Sequence, residues 1–289
     1  MQNDPLCYLN GEYGPLSQAK ISVLDRGFIF GDGVYEVIPV YAGRPFRLPH
    51  HLARLQNSLD AIRIDNPLSE PEWDKVIQHI TKTNGDGDQS VYVQVTRGVA
   101  RRDHSFPDNT PPTVFVMSSE LVAPSRDQVE QGIEAITLQD IRWLNCHIKA
   151  ISLLPNVLFR QAAIDAGANE AILLREGQAT EGAASNLFLV KDGVIITPPK
   201  SSKLLPGITR DLMVEMAHQH GLPLQERDID EAELRGADEI WITSSTKEVM
   251  PVLRLDGEPV GTGTPGPFWQ TVYELYQGLK QDLRSGRAS

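Results

Sequence analysis

At 289 residues the chain exceeds what one hydrophobic core usually serves, so two domains are expected. A formal net charge of -11 without a long basic run argues against nucleic acid or an anionic membrane as partner. Two cysteines, Cys7 and Cys146, exclude a disulfide framework and a multi-cysteine zinc site, and no apolar run is long enough for a bilayer.

The start, Met1–Pro5, carries neither a basic stretch nor an apolar run, and a cytoplasmic protein is expected. Tight turns then recur along the chain. Asn10-Gly11, Ala42-Gly43, Glu176-Gly177, Asp192-Gly193 and Asp256-Gly257 each separate strand-like runs, so many strands should be antiparallel neighbours. Pro49 opens a helix with Leu52, Leu55, Leu59 and Ile62 at helical spacing. Ser69 and Glu72 form a capping box ahead of Trp73, Val76, Ile77 and Ile80.

Alternation predicts a strand over Ser90 to Thr96, and another runs from Thr113 to Met117. After it, Ser118 to Ser125 loses periodicity and reads as a linker. Further helices are expected from about Thr209 to His220 and from Phe268 to Leu283. The result is an α+β protein: a smaller domain over residues 1–119, a linker over 120–126, and a larger α/β domain over 127–289.

Gly261-Thr262-Gly263-Thr264-Pro265-Gly266 matches the letters of a dinucleotide fingerprint. No βαβ unit surrounds it, and Pro265 and Pro267 interrupt the helix start it needs, so it reads as a loop and a nicotinamide enzyme fits poorly.

Lys149 sits in an otherwise apolar stretch, with His147 and Ile151 on its face if the segment is a strand. It is either an edge-strand lysine that discourages aggregation or an amine whose pKa falls on desolvation, ready to form an imine with an aldehyde. Gly207-Ile208-Thr209 and Thr243-Ser244-Ser245-Thr246 offer N–H and hydroxyl donors to a phosphate, or are ordinary helix caps. Glu181, among small neighbours, is either a solvated turn residue or a carboxylate for a flat cationic ring. Arg54 by itself reads as a solvated helix residue. Arg102 and His104 are loop residues that could trap a carboxylate.

These segments, with Asp25-Arg26-Gly27, Gly31-Asp32-Gly33-Val34-Tyr35-Glu36-Val37 and Asp140-Ile141-Arg142-Trp143, run nearly the whole length. Through them the chain resembles the D-amino acid aminotransferases, of the fold-type IV class of pyridoxal phosphate enzymes. Arg102-x-His104 with Tyr35 points to the D-amino acid branch. The resemblance implies pyridoxal 5'-phosphate held as a Schiff base on Lys149, with Glu181 at the ring nitrogen and Leu205 against the ring. It implies Arg54, Ile208, Thr209, Ser244 and Ser245 around the phosphate, and Tyr35, Arg102 and His104 at the substrate carboxylate.

In that family the last two reach in from the neighbouring subunit, so a homodimer is implied. The activity implied is ping-pong transfer of an amino group from a D-amino acid, of the D-alanine or D-glutamate type, to a 2-oxo acid. Same-fold alternatives are a branched-chain L-amino acid aminotransferase, an R-selective amine transaminase and an aminodeoxychorismate lyase. A non-catalytic scaffold that binds the cofactor is the alternative of another class.

Overall fold

The structure, a computed structural model, describes residues 4–287; Met1–Asn3, the beginning of the start segment, lie outside the described residues. The chain divides into two compact units, one of residues 4–122, 148–152 and 282–287, the other of 123–147 and 153–281. The expected division put 148–152 with the second domain. The backbone explains the difference: Tyr35 N donates to Lys149 O at 2.9 Å and Ile151 N to Gly33 O at 3.1 Å, tying this stretch to the first unit.

The first unit is built on one sheet. Its strands are β1 (Leu6–Leu9), β2 (Glu12–Pro15), β3 (Gly33–Tyr41), β4 (Arg44–Pro45), β5 (Gln89–Thr96) and β6 (Thr113–Glu120), in the order β2-β1-β6-β5-β3-β4. The helices are α1 (Arg26–Phe30), α2 (Leu48–Ala61) and α3 (Glu70–Asn84). β6 continues three residues past the expected end, because Ser118, Ser119 and Glu120 still pair with Val91, Ser90 and Gln89. The alternation in β5 buries Val91, Val93 and Val95 against Leu52, Leu55 and Leu59 of α2 and Trp73, Val76, Ile77 and Ile80 of α3. Each such side chain contributes about 1.5–3 kcal/mol on burial. The Ser69–Glu72 capping box starts α3 as its sequence requires.

The second unit holds the remaining strands in one mixed sheet. They are β7 (Ile133–Gln139), β8 (Glu170–Arg175), β9 (Gln178–Gly182), β10 (Asn186–Lys191), β11 (Val194–Thr197), β12 (Leu224–Glu226), β13 (Ile229–Asp230), β14 (Glu239–Ser244), β15 (Glu248–Leu255) and β16 (Glu258–Pro259). Their order is β12-β11-β10-β14-β15-β7-β8-β9-β13, with β16 paired to β15. The helices are α4 (Arg126–Gln131), α5 (Leu154–Asp165), α6 (Ile208–Gln219), α7 (Glu231–Arg235) and α8 (Pro267–Ser285), the last up to residue 281 in this unit.

All five expected hairpin turns form. In each, both turn residues have positive φ, from 49° at Ala42 to 99° at Gly11, the geometry that matches the twist of paired strands. The glycine-rich loop 261–266 leads into α8, where Phe268 N and Trp269 N donate to the Glu239 carboxylate at 3.0 and 2.8 Å. A carboxylate thus already occupies the helix start that a dinucleotide phosphate would need. Both cysteines are free and buried. Among the described residues no helix is long and apolar enough to cross a membrane.

Candidate active site

In the first unit, the segment 148–152 lies along β3 through an isolated antiparallel bridge between Val34 and Ala150, rather than as a strand of its own. Lys149 is half-buried there; its N–H donates to Ser58 Oγ at 3.2 Å, and its Nζ stands 4.1 Å from the centre of the Tyr35 ring. An ammonium over a ring face is held by the ring quadrupole, which fixes where the amine points.

Arg54 is not the solvated helix residue that its sequence suggests. It is 7% exposed, and its Nε and Nη2 donate to the two oxygens of Glu36, each at 2.7 Å. His51 Nδ1 lies 2.8 Å from the same carboxylate. Burial alone would raise the Glu36 carboxyl, but Arg54 and His51 hold it well below the usual range. Burial in turn lowers the His51 imidazole, against the pull of Glu36.

Neither Glu36 nor His51 was singled out from the sequence. The signal was present, since Glu36 shares the inward phase of β3 with Val34, Ile38 and Val40, where a carboxylate requires a buried cation. Glu36→Gln is expected to lower stability by about 3 kcal/mol, because a buried Arg54 loses its anion. Urea unfolding checks this, and an unchanged midpoint contradicts the pairing.

Arg102 and His104 lie on the exposed loop between β5 and β6. Both pack on Phe30 of α1, the guanidinium 5.5 Å and the imidazole 5.3 Å from the ring centre. Arg26 Nη1 donates to Asp103 O at 2.6 Å, and Arg97 lies 3.8 Å from the Phe106 ring centre, so the loop is anchored on both sides of His104.

In the second unit, Glu181 is on β9 and 3% exposed, not a solvated turn residue. Donors reach both carboxylate oxygens: Arg142 Nη1 to Oε1, Asn186 Nδ2 to Oε2 at 3.1 Å, and Leu205 N to both at 3.2 and 3.1 Å. Burial pushes this carboxyl up to about 7 against the opposing pull of Arg142. Leu205 thus meets Glu181 through its backbone, a contact that sequence reasoning could not supply.

Ile208 and Thr209 form the first turn of α6, both buried, and the N-cap Gly207 supplies no side-chain cap. A helix start left in this way directs N–H groups and the positive end of the helix dipole at an anion. Gly207 has to be bare, since a Cβ there would collide with Asn186 Oδ1. α6 packs on β14, which ends in Ser244, with Ser245 next. Ser244 Oγ accepts from Lys247 N at 3.0 Å, and the neighbouring Thr243 Oγ1 is buried without a partner among the described residues.

Two kinds of binding chemistry are therefore built into this unit. A buried carboxylate is fed with donors, as a cationic ring nitrogen requires, and an uncapped helix start beside hydroxyls suits a phosphate. These two donor sets fit the ring nitrogen and the phosphate of pyridoxal 5'-phosphate, and in the first unit, taken by itself, an amine is held on an aromatic face.

Residues 33–255 match the description Amino-transferase class IV, and the chain belongs to that family. It is 41% identical to the D-alanine aminotransferase of Bacillus licheniformis, over 93% of this chain and 94% of that one. It is 39% identical to the D-alanine aminotransferase of Staphylococcus aureus (strain MW2), over 93% and 96%. The solved T.th. branched-chain amino acid aminotransferase, complexed with N-(5'-phosphopyridoxyl)-L-glutamate, superposes with a TM-score of 0.89 at 31% identity, covering 98% of this chain and 96% of that one. The fold-type IV architecture is thereby established, and with it an aminotransferase that uses pyridoxal 5'-phosphate.

Proposed function

We propose that the protein transfers the amino group of a D-amino acid, of the D-alanine or D-glutamate type, to a 2-oxo acid such as 2-oxoglutarate or pyruvate. The observation that carries this reading is the 41% identity, over 93% of the chain, to a D-alanine aminotransferase. Bound pyridoxal 5'-phosphate supplies an aldehyde carbon that takes up and returns an amino group, and a ring that accepts electrons while the substrate is deprotonated.

The chain's own residues divide the work. Lys149 would anchor the cofactor, and its Nζ would take the proton from the substrate Cα. Glu181 keeps the ring nitrogen cationic, and Leu205 packs on the ring. Arg54, Ile208, Thr209, Ser244 and Ser245 take the phosphate, Ile208 through its backbone N–H. Arg54 is presented for this by Glu36, whose carboxylate, itself held by His51, keeps the guanidinium in one orientation.

Tyr35, Arg102 and His104 bind the substrate carboxylate, with Arg102 and His104 contributed by a second copy in a homodimer. Their exposure on an anchored loop supports this, as do the exposed apolar residues Leu154, Val157 and Leu158 of α5 with Trp143 and Leu144. The reading includes a cytoplasmic setting, supported by two cysteines that are both free.

Gly207→Ala tests the link between the phosphate turn and Glu181. The added methyl displaces Asn186, and pyridoxal phosphate is expected to bind about tenfold more weakly by equilibrium dialysis. An unchanged affinity contradicts the link.

A branched-chain L-amino acid aminotransferase is the second reading, favoured by the solved structures at 27–31% identity. Incubation with D-alanine or L-alanine and 2-oxoglutarate separates the two. Glutamate formed from the D form supports the leading reading, and transfer from the L form alone removes it.

A further inference from the structure

The segment Asp140-Ile141-Arg142-Trp143 carries a charged network that the residue roles above leave unused. Asp140 and Arg142 are 0% and 7% exposed in their side chains. Arg142 grips Asp140 with both edges of its fork, Nε to Oδ1 and Nη2 to Oδ2, each at 2.9 Å. Its remaining nitrogen, Nη1, donates to Glu181 Oε1. Asp140 Oδ2 is held from the other side by Arg175 Nη2 at 2.9 Å, and Arg175 Nη2 also donates to Arg142 O at 2.9 Å. Two carboxylates and two guanidinium groups therefore alternate in one buried chain that ends at Glu181.

We propose that Arg142, clamped by Asp140 and backed by Arg175, is the positioning residue that fixes the charged Glu181 carboxylate for the cationic N–H of the cofactor ring. The proposal rests on the reading of Glu181 as the ring partner and adds what makes Glu181 able to serve. Asn186 and Leu205 supply neutral donors, which orient the carboxylate but bring no net charge. Among the described residues Arg142 alone brings a full positive charge to it, in a site where burial favours the neutral acid. A neutral carboxylic acid lacks the negative charge that stabilises a protonated ring nitrogen. The bidentate grip on Asp140 removes the rotational freedom of Arg142, so Nη1 is pre-aimed rather than recruited.

The test compares the affinity of apo-protein for pyridoxal 5'-phosphate and for its 1-deaza analogue, in which the ring nitrogen is replaced by C–H. Both ligands carry the same aldehyde and phosphate, so the contributions of Lys149 and of the phosphate donors cancel in the ratio. A charge-assisted hydrogen bond at the ring predicts that wild type prefers the nitrogen ligand by about 10- to 100-fold. In Arg142→Met this preference is expected to fall by about tenfold or more. Arg142→Lys and Asp140→Asn should fall between the two and serve if the methionine variant does not fold, since lysine keeps the charge but cannot hold both carboxylates at once.

A merely structural role lowers both affinities together and leaves the ratio alone. An Arg142→Met ratio equal to that of wild type overturns the proposal; without a folded methionine variant, wild-type ratios in both other variants do so. Equal affinity of the wild type for the two ligands overturns the reading of Glu181 itself, and the proposal with it.

Discussion

Lys149→Ala is expected to slow amino transfer from D-alanine by about 10,000-fold, because it removes both the covalent anchor and the base that takes the substrate proton. The structure restricts which group could substitute. The Lys149 amine is fixed on the Tyr35 ring, and the nearby buried groups Glu36, His51 and Arg54 are committed to one another. A variant that loses only affinity, and regains wild-type turnover at saturating cofactor, contradicts the double role. Single-turnover absorbance changes of the bound cofactor give the rate without interference from product release.

Glu181→Gln carries the second large effect. Glutamine is nearly isosteric and keeps an acceptor, but it cannot stabilise a cationic ring nitrogen, and a fall in kcat on the order of 1,000-fold is expected. The same substitution has a signature in the apo-protein. Burial raises the Glu181 carboxyl from 4.5 to about 7, so the folded chain holds this proton more tightly than the unfolded chain does. Its contribution to stability is fully present below about pH 4.5 and is lost as pH rises through about 7. The loss amounts to roughly 3 kcal/mol.

Arg142 and Asp140 oppose such trends in the absolute curve, since burial would raise Asp140 but Arg142 holds it down. The difference between wild type and Glu181→Gln isolates the one carboxyl. Wild type should lose stability relative to the variant between about pH 4.5 and about pH 7. A flat difference means that Glu181 is ionised throughout this range.

Much of the architecture was written locally. The turn pairs and the capping box are short-range signals whose backbone requirements no tertiary contact has to supply, and all of them form. Helices α2, α3, α6 and α8 likewise follow from apolar spacing. The end of β6 did not, because Ser118 and Ser119 break the apolar pattern while their backbone still pairs with β5. The placement of Lys149 with the first unit was also hidden, since it depends on hydrogen bonds to β3 from more than a hundred residues away.

At the candidate site, residue types were readable and their partners were not. Arg54 looked solvated because helical spacing alone does not show that Glu36 waits on the facing strand. The inward phase of β3 nonetheless carries a charge, and a buried Glu36 requires a cation. Asp140 and Arg142 were visible as a motif, yet nothing in their spacing names Glu181 as the next group in the chain.

On this reading Lys149 is the amine that holds the cofactor. Borohydride treatment of the pyridoxal phosphate-loaded protein, followed by proteolysis and mass spectrometry of the peptides, shows which lysine carries it. The predicted result is one reduced phosphopyridoxyl adduct, on the peptide containing Lys149 and absent from Lys149→Ala. An adduct confined to any other lysine, or none on a protein that binds the cofactor, contradicts it.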